Sequence, residues 1–221
     1  MIAADPSAPG LGTETGPRIC LLNYGMGNLR SVEKALERLG AEVVLTSDVE
    51  VAATADAAIL PGVGAFPKAM GRVRELGLDR FLADWARDGR PLLGICLGMQ
   101  LLFERSTELG GSEGLGLLPG DVTALEAPGL KVPHMGWEPV RWERGSALAG
   151  DTPPETPYYF VHSYAARPAD AADVAGTAVW GERFACAVER DATWGVQFHP
   201  EKSSQAGLAL LARFLDACVP A

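Results

Sequence analysis

The sequence predicts one α/β domain on a doubly wound, largely parallel sheet that continues as an antiparallel extension in the second half of the chain. Three observations carry this. Short, wholly apolar runs alternate with amphipathic stretches through the first half. Strands buried on both faces read as such runs, and a strand–helix–strand order is the crossover of a parallel pair. Beyond Gly110 the texture changes to brief β-type segments divided by Gly and Pro, as antiparallel strands require. Finally, 221 residues at 48% hydrophobic and 21% charged suit a single soluble domain that can bury a sizeable core without staples.

Residues 1–17, rich in Ala, Pro, Gly, Ser and Thr, have no apolar period and read as a disordered tail before one domain over 18–221. Ile19-Cys20-Leu21-Leu22 is the first strand. Leu29, Val32, Leu36 and Leu39 recur at helical spacing, with Asn28 placed to cap the start and Gly40 to end the helix in the left-handed conformation. Val43 to Leu45 and Ala57 to Leu60 are the next strands, the latter stopped by Pro61-Gly62. Leu78, Phe81, Leu82 and Trp85 mark a helix closing near Gly89, Pro91 to Ile95 a fourth strand, and Leu97 to Glu104 a further helix. Val122–Leu125, Tyr158–Val161, Cys186–Val188 and Trp194–Phe198 are the β-type runs. Ser203 stands where it can cap a last helix carrying Leu208, Leu211, Phe214 and Leu215, which returns to cover the sheet.

Composition excludes several function classes. The formal charge of −9 comes with no basic run, which argues against nucleic-acid and anionic-membrane binding. Cys20, Cys96, Cys186 and Cys218 are far apart without a CxxC, so they read as free thiols rather than a disulfide framework or a structural zinc site. The start lacks a secretory pattern, and no stretch reaches the roughly 18 apolar residues of a membrane span. A cytoplasmic location is expected.

The sharpest local feature is Gly94-Ile95-Cys96-Leu97-Gly98, between an apolar strand and a helix. This is a nucleophile elbow with Cys in place of Ser: the tight turn needs small flanking residues and lifts the side chain above the carboxyl edge of the sheet, at a helix N-terminus that favours a thiolate. A core cysteine beside two packing glycines is the alternative. Of three histidines, His199 in Gln197-Phe198-His199-Pro200-Glu201 ends an apolar strand. In extended conformation Glu201 points the same way and can orient the imidazole; otherwise His199 is a plain loop histidine. A zinc deaminase would need P-C-x-x-C after the H-x-E, which is absent, so no metal is expected. Pro61-Gly62-Val63-Gly64 follows the third strand at the same edge. Its backbone, with the N–H of Leu97, can form an oxyanion hole, unless it is only a turn. Gly25-Met26-Gly27-Asn28 fails as a dinucleotide loop because Arg30 occupies the third glycine position.

These motifs together resemble the class I (triad) glutamine amidotransferases, and the resemblance implies that family's fold. Asn23 to Leu29, Leu60 to Phe66, Gly94 to Glu104, Lys131 to Trp137, Tyr158 to Tyr164 and Gly195 to Ser203 are similar to one branch, the glutaminase subunits of imidazole glycerol phosphate synthase in histidine biosynthesis. Two departures are Glu138, where Asn is expected, and the tail before Arg18. The resemblance implies Cys96, His199 and Glu201 as catalytic residues acting through a cysteinyl thioester. It implies Val63 and Leu97 as oxyanion donors, and Gly64, Gln100, Ser163 and Tyr164 as glutamine-holding residues. It further implies Asn28, Trp137, Tyr159 and Lys202 as the face toward a (βα)8-barrel synthase subunit in a heterodimer, and no cofactor. Another amidotransferase subunit, such as one serving anthranilate, guanylate or pyridoxal phosphate synthesis, a free-standing thiol hydrolase or peptidase, and a non-catalytic flavodoxin-like subunit are the rival readings.

Overall fold

A computed structural model describes residues 16–143 and 145–218. The tail expected over 1–17 lies outside the described residues up to residue 15. Pro17 already belongs to the fold, its carbonyl accepting the Glu42 N–H at 3.1 Å.

The first half follows the predicted alternation. Strand β1 (Arg18–Leu22), helix α1 (Leu29–Arg38), β2 (Glu42–Thr46), the short α2 (Val49–Ala53) and β3 (Ala57–Leu60) come first. Then α3 (Phe66–Glu75), α4 (Leu78–Arg87), β4 (Leu92–Ile95), α5 (Leu97–Leu101) and β5 (Phe103–Ser106) follow. The second half comprises β6 (Ser112–Glu113), β7 (Leu118–Ala124), β8 (His134–Pro139), β9 (Arg141–Trp142), β10 (Pro157–His162) and β11 (Tyr164–Pro168). It continues through β12 (Val174–Trp180), β13 (Glu182–Arg190) and β14 (Thr193–Val196) to α6 (Ser204–Ala217). The main sheet runs β2-β1-β3-β4-β14-β13-β11-β7-β5-β6, with β12 on β13 and β9 on β12. The β2 to β14 part is parallel, and β13, β11 and β7 extend it antiparallel. A separate antiparallel ribbon pairs β8 with β10.

The parallel strands are buried on both faces, and alternation sorts their side chains into two cores. Ile19, Leu21 and Ile59 meet α1 and α6 through Val32, Leu36, Leu211 and Phe214. Cys20, Leu22, Ala58 and Leu60 meet α3, α4 and α5 through Met70, Val73, Leu82, Trp85 and Leu97. Covering both faces is what a parallel sheet demands. Among the described residues, no helix is long and apolar enough to cross a membrane.

Three local expectations need correction. The helix read over Leu97 to Glu104 ends at Leu101, and Phe103–Ser106 is a strand. The returning segment explains this: the N–H groups of Leu115, Leu117, Gly116 and Gly114 bond the carbonyls of Leu101, Leu102, Phe103 and Glu104, which helix continuation would have needed. Asn28 precedes α1 but makes no side-chain capping bond. Ser203 makes none either. Its Oγ donates to the His199 carbonyl at 2.7 Å and accepts the Tyr159 N–H at 3.0 Å, tying the His199 turn to β10.

Candidate active site

Cys96 sits between β4 and α5 with φ 55°, a backbone conformation that a non-glycine residue holds only where the surroundings enforce it. Its N–H bonds the Val196 carbonyl of neighbouring β14 at 2.7 Å, and its own carbonyl accepts the Gln100 N–H at 3.2 Å. The flanking glycines are needed for close approach. A Cβ on Gly98 would lie 1.7 Å from the Leu60 carbonyl oxygen, and one on Gly94 would lie 2.7 Å from the Met99 nitrogen. The elbow is therefore wedged against the end of β3, which brings Pro61 to Gly64 beside the thiol. From below, the Tyr24 hydroxyl donates to the Pro61 carbonyl at 2.6 Å, while Gly64 at φ 102° turns the loop back.

His199 and Glu201 arrive from β14. Their juxtaposition is not the extended one expected, because Pro200–Lys202 is a 3₁₀ turn. That turn brings the Glu201 carboxylate onto the imidazole Nδ1 at 2.9 Å. Both side chains are nearly inaccessible, and the other ring nitrogen, Nε2, has no hydrogen-bond partner among the described residues. Burial depresses the imidazole pKa, and the Cys96 sulfur and Glu201 carboxylate overcome it, raising the pKa to about 10.

The second histidine near the thiol is engaged at both nitrogens. His162 Nδ1 meets the Tyr164 carbonyl at 2.8 Å and Nε2 meets His134 Nδ1 at 3.0 Å. A carbonyl only accepts, so His162 carries its proton on Nδ1 and His134 donates to it. His134 is stacked on Trp180 with ring centroids 4.3 Å apart, and its Nε2 is buried without a partner, 4.0 Å from Glu138 Oε1. Glu138 thus shares the inner face of β8 with His134. Its departure from the expected Asn therefore falls on that face and not on the one that Met135 and Trp137 share.

A cavity of about 240 Å³ opens over the thiol, lined by Val63, Gly64, Cys96, Leu97, Gln100, Glu108, Pro133, Val161, His162, Ser163 and Tyr164. All four expected glutamine-holding residues and both expected oxyanion donors are on its wall. The volume is below the roughly 300–1,000 Å³ of sites for drug-sized ligands and suits a free amino acid. Glu108 was not singled out from sequence. It comes from a 3₁₀ turn after β5, with its carboxylate accepting the Phe66 N–H at 2.8 Å. Nothing local marks it, since its place depends on the unforeseen β5.

Of the four expected partner-face residues, three meet. Trp137 on β8 packs edge-on to Tyr159 on β10 with centroids 5.9 Å apart, and Lys202 Nζ lies 5.9 Å from the Tyr159 ring centre. Asn28 is exposed at the start of α1, a helix that packs against the 200–202 turn. Met135 and Trp137 alternate outward, 61% and 48% exposed, so the ribbon carries an apolar outer face.

A thiol held at a strand-to-helix elbow under an amino-acid-sized cavity suits hydrolysis of a small amide, and the chain belongs to the glutamine amidotransferase class-I family, whose pattern matches residues 20–218. Within that family it is 51% identical over 196 residues to the imidazole glycerol phosphate synthase subunit HisH of Moorella thermoacetica, covering 89% of this chain and 93% of that protein. It is 50% identical over 202 residues to the HisH subunit of Rhodopirellula baltica, covering 91% and 98%. Among solved structures, one described as a glutamine amidotransferase matches with a TM-score of 0.72 at 23% identity, over 90% of this chain and 98% of that one, a likeness of fold.

Proposed function

We propose that this chain hydrolyses the side-chain amide of glutamine and delivers the ammonia to a synthase subunit that makes imidazole glycerol phosphate, in histidine biosynthesis. The observation that carries the chemistry is the buried His199 imidazole, held by Glu201 at Nδ1 and interacting with Cys96, whose thiol lines the cavity. The synthase assignment rests on the similarity to the two HisH subunits.

In this reading the Cys96 thiolate attacks the amide carbon of glutamine. The oxygen of the tetrahedral intermediate takes its charge to the backbone N–H groups of Val63 and Leu97. His199, protonated beside the sulfur, gives its proton to the departing nitrogen, which leaves as ammonia with the γ-glutamyl thioester behind on Cys96. Water then attacks the thioester with His199 as base, and glutamate and the free thiol are regenerated. Glu201 holds the imidazole tautomer throughout. Gly64, Gln100, Ser163 and Tyr164 hold the substrate, and the Glu108 carboxylate on the cavity wall suits its α-ammonium group. The ammonia passes to a (βα)8-barrel synthase docked on Asn28, Trp137, Tyr159 and Lys202, which joins it to a phosphoribulosyl aminoimidazole carboxamide nucleotide. The products are imidazole glycerol phosphate and aminoimidazole carboxamide ribotide. The chain acts in the cytoplasm as one glutaminase domain of a heterodimer, and the chemistry needs no cofactor.

Cys96→Ala tests this. In the heterodimer it removes synthesis from glutamine and leaves synthesis from added ammonium salt intact, because the thiol serves only the glutaminase half. An equal loss with both nitrogen sources would make Cys96 structural and overturn the assignment.

A further inference from the structure

Gln197, two residues before His199, is wholly buried. Its side-chain Nε2 lies 3.8 Å from the Cys96 sulfur, within hydrogen-bonding distance for sulfur, and its Oε1 lies 2.9 Å from Gln100 Nε2. The direction of these bonds follows from one group that can act in only one way. The Tyr164 carbonyl is an acceptor, and Gln100 approaches it at 3.0 Å, so that end of Gln100 is the amide nitrogen. The same nitrogen supplies its second hydrogen to Gln197, which makes the near atom of Gln197 an oxygen and turns its NH₂ toward Cys96. The Tyr164 carbonyl also accepts from His162 Nδ1, which fixes that tautomer and leaves His162 Nε2 to accept from His134. Gln197 therefore has no freedom to flip: reversing its amide would set two nitrogens against each other at 2.9 Å and leave the sulfur facing an oxygen.

We propose that the Gln197 side-chain amide is a catalytic donor to the Cys96 sulfur, one that stabilises the thiolate before attack, and that Gln100 orients it. The sulfur then has a neutral amide donor in addition to the charge of the nearby His199 imidazolium. The amide differs in being unable to take or lose a proton during the cycle, so it serves the leaving thiolate of the second half-reaction as well as the attacking one of the first. The same network assigns Gln100 a double role. Both of its amide hydrogens are spent inside the protein, so what it can offer a molecule in the cavity is its Oε1 acceptor.

This inference rests on the reading of Cys96 as the nucleophile, and two variants separate it from that reading. Gln197→Glu keeps an acceptor for Gln100 and removes the donor to sulfur. Gln197→Met, uncharged and of similar volume, removes both, and it carries the test if the buried carboxylate prevents folding. The rate of Cys96 alkylation by iodoacetamide, followed on the Cys96 peptide by mass spectrometry with no glutamine present, is expected to fall about tenfold or more in either variant, as loss of a hydrogen bond to a charged group implies. In the heterodimer, kcat for glutamate release falls by a similar factor in Gln197→Glu while KM stays within about twofold, a split that loosened packing around the substrate would not give. Alkylation within twofold of the unmodified chain, in whichever variant folds, overturns the proposal. Retention of glutamine-dependent activity by Cys96→Ser would instead overturn the nucleophile assignment, an outcome the alkylation rate does not depend on.

Discussion

In the proposed cycle His199 has two tasks that need opposite protonation states, acid toward the departing ammonia and base toward the incoming water. Its pKa, raised to about 10 by the sulfur and Glu201 against burial, keeps it protonated at neutral pH while Cys96 is free, which is the state the first task needs. In the proposed cycle acylation ties the sulfur up in an uncharged thioester. One of the two raising influences then disappears, and the imidazole moves back toward its ordinary range for the second task. His199→Ala is accordingly expected to lower glutamate release by about 10²- to 10⁴-fold, whereas Glu201→Gln, which leaves an imidazole able to sample the right tautomer, costs less. Steady-state glutamate release in the heterodimer orders the two, and a larger loss from Glu201→Gln would reverse the roles.

At the scale of elements, the elbow and the β8–β10 ribbon make separate demands. The elbow has no room: a methyl group on Gly98 meets the Leu60 carbonyl oxygen, backbone against backbone, so Gly98→Ala must push α5 from β3. Overpacking of this kind costs about 1–3 kcal/mol or more. Loss of urea stability is expected together with loss of glutamine-dependent activity, and unchanged values for both would show that the turn is looser than its geometry. The ribbon holds two imidazoles that burial depresses to about 4, His134 and His162. Both remain neutral in the native state while the unfolded chain takes up protons below about pH 6.5. The unfolded state therefore binds more protons between about pH 6.5 and 4, and stability falls as pH falls through that window. His199, with its raised pKa, adds a contribution already complete below the unfolded value, so the descent from pH 6 to pH 5 reports the ribbon. Urea midpoints at those two pH values should drop, and less so in His134→Phe, which keeps the stacking on Trp180 and removes one of the two groups. An equal drop in that variant would place the acid sensitivity elsewhere.

For the whole molecule, an unpartnered glutaminase wastes ammonia, and the loop over the cavity offers a means of restraint. Tyr24 pins Pro61, while Val63, 40% exposed, stands at the rim between Gly62 and Gly64. On the proposed role of Val63 as an oxyanion donor, glycines on both sides make two orientations of its peptide sterically accessible, and a donor turned away costs on the order of 10²- to 10³-fold in rate. A partner pressing on this face favours the competent orientation by differential contact. Glutamate release should rise from the free chain to the heterodimer and again with bound nucleotide, and equal rates in all three would remove the switch. How much of this was legible beforehand follows from the range of the forces involved. Local signals were enough for β1, α1, β3, α4 and β4 and for the elbow around Cys96, because apolar periodicity, glycine sterics and residue chemistry act within a few residues along the chain; the pairing of His199 with Glu201 was also legible, though not the 3₁₀ turn that makes it. They were not enough for β5, which exists because the 114–118 segment returns to claim its carbonyls, nor for α3, whose buried Phe66, Ala69, Met70 and Val73 hide behind the glycine loop before it. By itself the sequence determined which chemical groups the protein has and the short-range elbow that presents Cys96. Tertiary structure alone decided that Glu108 lines the cavity, that Glu138 faces inward, that His162 accepts from His134 and that Gln197 reaches the Cys96 sulfur. Those contacts join residues far apart in the chain, and hydrogen-bond direction and burial there are set by which strands pair, a choice no local pattern encodes.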